Sequence, residues 1–294
     1  MVDLESIKEI YPFKQNYLII NDLRYHYLDE GQGEPIVMLH GNPTWSFYYR
    51  ELVKEFRKTH RIIVPDHIGC GLSDKPQRYN YTLQTHINNL DKLLTHLSLN
   101  NITLLMHDWG GAIGMGYAVR NPEKIKQFIV LNTAAFTSSR IPFRIALCKV
   151  PFFGDILLRE FNLFACIAIT MAVHKKKLPP KIREGLLLPY NNWANRVGIL
   201  RFVQDIPLSS KHISFKTLKK IEEGLKIFQS YPMMLLWGEH DFCFNHFFLE
   251  EWIRRFPEAE VYQFAEAGHY VVEDALEEII PLIYNFLFYH THKS

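Results

Sequence analysis

The stretch Ile102-Thr-Leu-Leu-Met-His-Asp-Trp-Gly-Gly-Ala-Ile-Gly-Met-Gly-Tyr-Ala118 decides the fold of this 294-residue chain. It joins an apolar run, a short segment with paired glycines and a second apolar stretch. This order predicts a strand, a sharp turn and a helix, an arrangement that exposes a nucleophile at the end of a strand. Asp108 stands at the nucleophile position. Because a carboxylate nucleophile forms an ester with its substrate, the stretch favours displacement at carbon over ordinary acyl transfer.

Short apolar runs on both sides of this stretch predict a parallel sheet. Such runs suit strands that are buried on both faces, and helical stretches separate them. We therefore predict an α/β protein with a mostly parallel, eight-stranded sheet and helices on both of its faces. A hairpin over 17–28, with its turn at Asn21-Asp22, adds antiparallel strands. The predicted parallel strands are 36–39, 62–64, 102–106, 128–131, 233–237 and 261–264.

The segment 133–213 interrupts this alternation of strands and helices. Its apolar stretches predict short helices, and prolines separate them. We expect this insertion after the sixth strand to form a helical cap, which excludes water from a site beneath it. The predicted core domain is therefore 1–132 together with 214–294, and the predicted cap domain is 133–213. The prolines are Pro142, Pro151, Pro179, Pro180, Pro189 and Pro207.

The charge of the chain is unevenly distributed. With 22% charged and 48% apolar residues and a net charge of +2, the composition is that of an ordinary globular protein. The predicted cap, however, carries twelve Lys and Arg against four Asp and Glu. We interpret this as a solvated basic face, with an anionic partner, a lipid headgroup or a substrate tail as alternatives. We expect no nucleic-acid partner, and the oligomeric state stays open.

Four scattered cysteines and the absence of a long apolar segment bear on location. The cysteines lack the spacing of a metal site or of a disulfide framework. The first residues show no secretory signal, and the near-apolar stretch 163–173 is about half the ~20 residues that a membrane span needs. We therefore expect a cytoplasmic enzyme without a metal or an organic cofactor. The cysteines are Cys70, Cys148, Cys166 and Cys243.

A basic run follows this apolar stretch, and the two together bear on the partners of the protein. Lys175-Lys-Lys177 follows it directly. We interpret the two together as a buried helix with a solvated basic end. The alternative is a patch for peripheral contact with a membrane, or with a multi-enzyme assembly, while an apolar substrate enters.

A base and an orienting acid must accompany a nucleophile. Asp241 follows the seventh predicted strand and His269 follows the eighth, which is the chain order nucleophile, acid, histidine of α/β-hydrolases. We predict His269 as the catalytic base and Asp241 as the acid that orients it. Asn132, directly after the sixth strand, occupies the competing position for the acid. An amide supplies no negative charge, so Asp241 is favoured.

Two side-chain donors are placed to bind developing negative charge. Asn42 follows the third strand in His40-Gly-Asn-Pro43, and Trp109 adjoins the nucleophile. An amide and an indole N–H that converge on one point suit a halide or a carboxylate oxygen better than a tetrahedral oxyanion. The turn departs from the usual pattern at Met106, where a small residue normally relieves crowding.

Together these motifs resemble those of the haloalkane dehalogenases, α/β-hydrolases with an aspartate nucleophile and an Asn–Trp halide clamp. The acid after the seventh strand is similar to that of their third subfamily. Segments of the predicted cap are similar to the β-lactone decarboxylases of bacterial long-chain olefin biosynthesis. This resemblance implies the conversion of a dialkyl β-lactone to a cis-alkene and carbon dioxide. The dehalogenase-like motifs are 40–45, 65–74, 107–111 and 268–269, and the decarboxylase-like segments are 131–136, 190–196 and 200–208.

Two activities stay open, because both begin with attack by Asp108 on carbon. A haloalkane dehalogenase would then use His269 to activate water, releasing an alcohol and a halide. An epoxide hydrolase needs two cap tyrosines, and 133–213 contains only Tyr190. A non-catalytic binding module is disfavoured because Asp108, Asp241 and His269 are all present.

Overall fold

The computed structural model describes residues 2–138, 140, 149 and 155–291. Cys148, Pro142 and Pro151 lie outside these described residues. Within them the strands are β1 (Asn16–Ile20), β2 (Leu23–Glu30), β3 (Pro35–Leu39), β4 (Arg61–Pro65), β5 (Ile102–Asp108), β6 (Ile125–Thr133), β7 (Met233–Gly238) and β8 (Glu260–Phe264).

These strands form one eight-stranded sheet in the order β1-β2-β4-β3-β5-β6-β7-β8. β2 is antiparallel to β1 and to β4, and the other neighbouring pairs are parallel. At the tip of the β1–β2 hairpin, Asn21 and Asp22 have φ values of 50° and 64°. Asn and Asp tolerate this left-handed conformation, which a two-residue hairpin turn requires. The predicted fold class and the predicted hairpin turn are confirmed.

Helices cover both faces of the sheet. The described part of 133–213 contains three α-helices, in agreement with the helical character predicted for this segment. A six-residue π-helix, Asp155–Glu160, precedes them. The α-helices of the described residues are α1 (Arg50–Phe56), α2 (Leu83–His96), α3 (Trp109–Arg120), α4 (Leu163–Met171), α5 (Pro180–Leu187), α6 (Val197–Gln204), α7 (Phe215–Gly224), α8 (His246–Arg255), α9 (Val271–Asp274) and α10 (Leu276–Thr291).

The central strands are mostly apolar because both of their faces are buried. Successive side chains of a strand point to opposite faces of the sheet. In β3, Ile36 and Met38 join the cluster that packs against α1 and α10. Val37 and Leu39 join the cluster that contains side chains of α2, α3, α7 and α8. Two cores, one on each face, therefore hold the carboxyl ends of the parallel strands in fixed positions.

The segment between β6 and α7 contacts the loops at the carboxyl edge of the sheet. The Ile199 carbonyl of α6 accepts a hydrogen bond from Asn42, which follows β3. The Ala172 carbonyl, at the end of α4, accepts one from the Tyr270 N–H after β8. The position of these helices agrees with the expected cap, while the division into a core domain and a cap domain at 133 and 213 stays a prediction.

Two further findings concern the described part of the chain. None of its helices combines the length and the apolarity needed to cross a membrane. Cys70, Cys166 and Cys243 are free thiols.

Candidate active site

Asp108 lies at a sharp turn between β5 and α3. Its backbone has φ 51° and ψ −123°, a strained conformation for a residue with a side chain. The turn lifts the carboxylate to the edge of the sheet, where it meets the loop after β3. A Cβ atom at Gly41 in that loop would overlap the Asp108 carboxylate, so the close approach requires glycine there.

Met106 fits this turn because a glycine lies opposite its side chain. Met106 is fully buried, and its sulfur occupies the space that a Cβ atom at Gly114 would fill. Gly114 on α3 therefore supplies the room that a small residue at 106 would otherwise provide. The unusual residue leaves the position of Asp108 intact.

Hydrogen bonds hold one side of the Asp108 carboxylate and leave the other directed at His269. The Asn42 N–H donates to Oδ1 at 2.7 Å, and Oδ2 lies 3.8 Å from His269 Nε2. The Thr133 hydroxyl donates to the Asp108 main-chain carbonyl. Burial raises the pKa of Asp108, and the attraction of His269 and the N–H groups of Asn42 and Trp109 offset this only in part. Oδ2 is therefore the oxygen that faces His269.

His269 is oriented by Asp241. Its Nδ1 donates to Asp241 Oδ2 at 2.7 Å, and both residues are buried. Asp241 Oδ1 accepts from the N–H groups of Cys243 at 2.6 Å and Phe244 at 3.0 Å, so both oxygens are bound. Burial disfavours the charged imidazole, but the carboxylates of Asp241 and Asp108 outweigh it and raise the pKa of His269. The pair can hold and release a proton beside Asp108.

Asn132 has a structural contact instead of one with the histidine. Its Nδ2 donates to the Gly238 carbonyl at 3.1 Å, and its Oδ1 accepts from the Gly238 N–H at 2.8 Å. These two bonds join the ends of β6 and β7. The geometry therefore agrees with the choice of Asp241 over Asn132 as the orienting acid.

Asn42 and Trp109 lie in the same cavity as Asp108 and His269. This cavity has a volume of about 50 Å³. Asn42 Nδ2 donates one hydrogen to the Ile199 carbonyl at 3.1 Å, which fixes the amide and leaves its second hydrogen for a ligand. The Trp109 ring packs edge-on against Phe202, with centroids 5.3 Å apart. The arrangement can present two N–H donors to an anionic or departing atom.

Asp274 is a site residue that the sequence did not reveal. It is buried, and its Oδ2 accepts from the N–H groups of Gly268 at 2.8 Å and His174 at 2.7 Å. Its Oδ1 accepts from the Lys175 N–H at 3.2 Å. One carboxylate thus joins the loop that carries His269 to the segment that follows α4. An acidic residue five positions after a histidine is too common a pattern to have predicted this.

His107 contacts both the ring and the main chain of His269. Its Nε2 lies 2.8 Å from the His269 carbonyl, and the two rings lie 4.5 Å apart. Burial, together with the neighbouring His269, lowers the pKa of His107 well below its usual range. A neutral His107 donates from Nε2 and fixes the main chain at His269. Its position next to Asp108 in the sequence was the signal that could have identified it.

Tyr190, the tyrosine noted in the predicted cap, is fully buried away from this cavity. Its hydroxyl donates to the Thr44 carbonyl at 3.2 Å and accepts from the Gly71 N–H at 3.4 Å. A hydroxyl held in this way joins the segment after α5 to the core. In the part of the chain that the structure describes, no group of three His, Cys, Asp or Glu side chains is arranged to hold a metal ion.

Comparisons with known proteins agree with this geometry. The alpha/beta hydrolase fold family matches residues 34–276. The chain is 47% identical over 282 residues to the cis-3-alkyl-4-alkyloxetan-2-one decarboxylase of Shewanella oneidensis, covering 94% of this chain and 89% of that protein. It is 42% identical over 274 residues to the decarboxylase of the same name from Xanthomonas campestris pv. campestris, covering 89% and 91%. The crystal structure of the haloalkane dehalogenase DatA from Agrobacterium tumefaciens C58 is similar with a TM-score of 0.83 and 26% identity, covering 94% and 97%.

Proposed function

The chain belongs to the α/β-hydrolase family, and we propose that it converts a cis-dialkyl β-lactone to a cis-alkene and carbon dioxide, with Asp108 as the nucleophile. The observation that carries the choice of substrate is the similarity, along nearly the whole chain, to two proteins named as oxetanone decarboxylases. An oxetan-2-one is a β-lactone. The apolar cavity at Asp108 and its paired N–H donors support the same substrate class.

The first step is displacement at the ring carbon that bears the ring oxygen, here called C4. Asp108 Oδ2 attacks C4, and the bond from C4 to the ring oxygen breaks with its electron pair on oxygen. The products are an ester of Asp108 and a free carboxylate on the neighbouring part of the substrate. Asn42 and Trp109 donate to the departing oxygen, where negative charge develops.

The second step releases both products without water. The new carboxylate leaves as carbon dioxide, its electron pair forms the carbon–carbon double bond, and the Asp108 carboxylate departs from C4. Inversion at C4 followed by anti elimination gives a cis-alkene from a cis-lactone. His269, whose pKa is raised, stabilises the negative charge that returns to Asp108. No proton is consumed and the nucleophile is regenerated.

Haloalkane dehalogenase activity is the second candidate, and the Asp241–His269 pair favours it. Hydrolysis of an alkyl ester on Asp108 requires a base that activates water, and His269 Nε2 lies beside the carboxylate, 3.8 Å from Oδ2. The likeness to the dehalogenase DatA supports the same candidate. In this reaction the departing halide accepts hydrogen bonds from Asn42 and Trp109.

One experiment in isotopically labelled water separates the two functions. The purified protein is incubated with a cis-dialkyl β-lactone and, separately, with a 1-bromoalkane. We expect alkene and carbon dioxide from the lactone, with no label in the peptide that contains Asp108. Hydrolysis would place labelled oxygen in the Asp108 carboxylate. Alcohol and bromide from the bromoalkane, with no alkene from the lactone, would reject the decarboxylase.

We further infer that the enzyme acts in the cytoplasm and makes peripheral contact with anionic lipid through one face of α4. The exposed basic run 175–177 follows this helix and supports the inference. We expect co-sedimentation with anionic vesicles at low salt, reduced in a Lys176→Glu, Lys177→Glu variant. No sedimentation at low salt would dismiss the contact. The exposed apolar residues of this face are Leu163, Ile167 and Met171, and the exposed Phe161 lies just before the helix.

A further inference from the structure

Two cavities meet at Asp108. One has a volume of about 140 Å³ and the other of about 50 Å³. Both are lined by Asp108, Trp109, Ile206 and Cys243, so they open onto the same nucleophile. A reacting carbon at Asp108 therefore has room for substituents in two directions.

The larger cavity, which we call the α7 arm, extends among α2, α3, α7 and α8. Its wall is mostly apolar, and Ser138 and the exposed Arg140 also line it. The main apolar lining residues are buried. An alkyl chain placed here would be removed from contact with water over most of its surface. The residues that give the arm this character are Leu83, Ala112, Phe136, Leu218 and Phe248.

The smaller cavity, which we call the α4 arm, lies beneath α4. Phe164, Ala168 and Ala172 line it, and they follow one another at intervals of four residues along one face of the helix. The two alanines leave the space that larger side chains would fill. On the exposed side of α4, which flanks this face, Ile167 is 37% exposed. The helix is therefore a single-layer wall between the arm and solvent.

We propose that the two arms hold the two alkyl substituents of one β-lactone, one chain in each arm, with the lactone ring at Asp108 between them. This rests on the proposed function. A cis-dialkyl lactone carries its chains on adjacent ring carbons, so two apolar spaces that diverge from one nucleophile match its shape. A simple haloalkane has one chain and fills only one arm. With C4 at Asp108 and the lactone oxygens at the N–H donors of Asn42 and Trp109, the lactone has one orientation and cannot turn round to avoid a blocked arm.

Two variants test this assignment, each of which fills one arm. Ala168→Phe fills the α4 arm, and Leu218→Trp fills the α7 arm. Ile167→Phe places the same phenyl ring on the exposed side of α4 and is the matched control. The substrates are two isomeric cis-lactones that carry one octyl and one methyl group in opposite positions. The readout is the ratio of kcat/KM between the two isomers, measured as alkene formed.

We expect a crossed pattern. Ala168→Phe lowers kcat/KM at least tenfold for one isomer relative to the other, and Leu218→Trp does the same for the opposite isomer. Each methylene denied burial costs about fourfold in binding, so two excluded methylenes suffice. Ile167→Phe keeps the wild-type ratio. Because the ratio is taken within one protein, uniform loss of folded enzyme does not produce the pattern.

Two results would overturn the assignment. Either both variants penalise the same isomer, or neither ratio departs from that of Ile167→Phe while alkene is still formed. The absence of alkene from every lactone with the wild-type protein is a different result. It would reject the proposed function itself, and with it the occupant of the two arms.

Discussion

On the core side of the site, Asp108, Asp241 and His269 each lie at or just after the carboxyl end of a parallel strand. In the proposed mechanism they act through their side chains. On the cap side, α6 and the end of α4 contribute main-chain carbonyls, from Ile199 and Ala172. In the proposed mechanism the core side thus supplies the reactive groups, and the cap side fixes the groups that surround them. The difference predicts large effects on rate from changes to the core side and moderate effects from changes to the cap side.

The largest effect is expected from Asp108→Ala. Both proposed steps form or break the bond from Asp108 to C4, so alkene formation should fall by about 10⁴-fold or more. Alkene is measured by gas chromatography under saturating lactone. Asp3→Ala, a change to an exposed acid, is the control. Turnover in Asp108→Ala within a factor of ten of the wild type would show that Asp108 is not the nucleophile.

Trp109→Phe should lower kcat by about 10²-fold, because it keeps an aromatic ring and removes one N–H donor. KM should change much less, since the donor acts mainly on charge that develops in the transition state. The exposed Trp193 provides the matched Trp193→Phe control. An unchanged kcat in Trp109→Phe would show that the indole packs against its neighbours but does not donate a hydrogen bond in the transition state.

Asp274→Asn tests the attachment of the cap side to the core side. The amide keeps an acceptor but loses the charge that binds three N–H groups, so the loop of His269 is held less firmly to the end of α4. We expect kcat to fall by roughly tenfold and the free energy of unfolding by about 1–3 kcal/mol. The control is Glu277→Gln, a change to an exposed acid on α10. An equal loss of stability with an unchanged kcat would restrict Asp274 to a structural role.

The pH titration of His269 reports the effect of the neighbouring charges of the core side on the pKa of this histidine. Its pKa is raised above the ordinary value of 6.5, so the imidazole stays protonated to a higher pH than a free histidine. In Asp241→Asn the nearest negative charge is lost while burial remains, and the midpoint should move to lower pH. NMR of the ring nitrogens follows both proteins. An unchanged midpoint would show that Asp241 does not raise the pKa of His269.

The smallest effect is expected from Tyr190→Phe. The loss of the hydrogen bond to the Thr44 carbonyl should reduce the free energy of unfolding by about 1 kcal/mol. Activity should stay at the wild-type level, since the hydroxyl lies outside the cavity. Denaturant unfolding and alkene assays provide the two readouts. A large loss of kcat would return Tyr190 to consideration as a proton donor.

The sequence predicted the sheet and the core side because both depend on side-chain patterns. Apolar runs identified the buried strands, and the order of Asp108, Asp241 and His269 followed from the strands that precede them. The geometry of Met106 could not be predicted in the same way. Whether that turn tolerates a large residue depends on Gly114, which approaches it only after α3 has packed on β5.

The cap side could not be predicted because its contacts are made by the main chain. The carbonyls of Ile199 and Ala172 carry no signal in their residue types. Asp274 receives its role from three N–H groups that come together only in the fold. The spacing of Phe164, Ala168 and Ala172 was visible, but it is typical of any packed helix face until a cavity is found beneath it.

Rapid-quench mass spectrometry of the first turnover tests the central claim most directly. We predict that the wild-type protein, mixed with a cis-dialkyl β-lactone, transiently gains the mass of the whole lactone on the peptide that contains Asp108. The adduct should disappear as alkene forms, and it should be absent from Asp108→Ala. An adduct on another residue, or alkene formed at the wild-type rate without Asp108, would contradict the account.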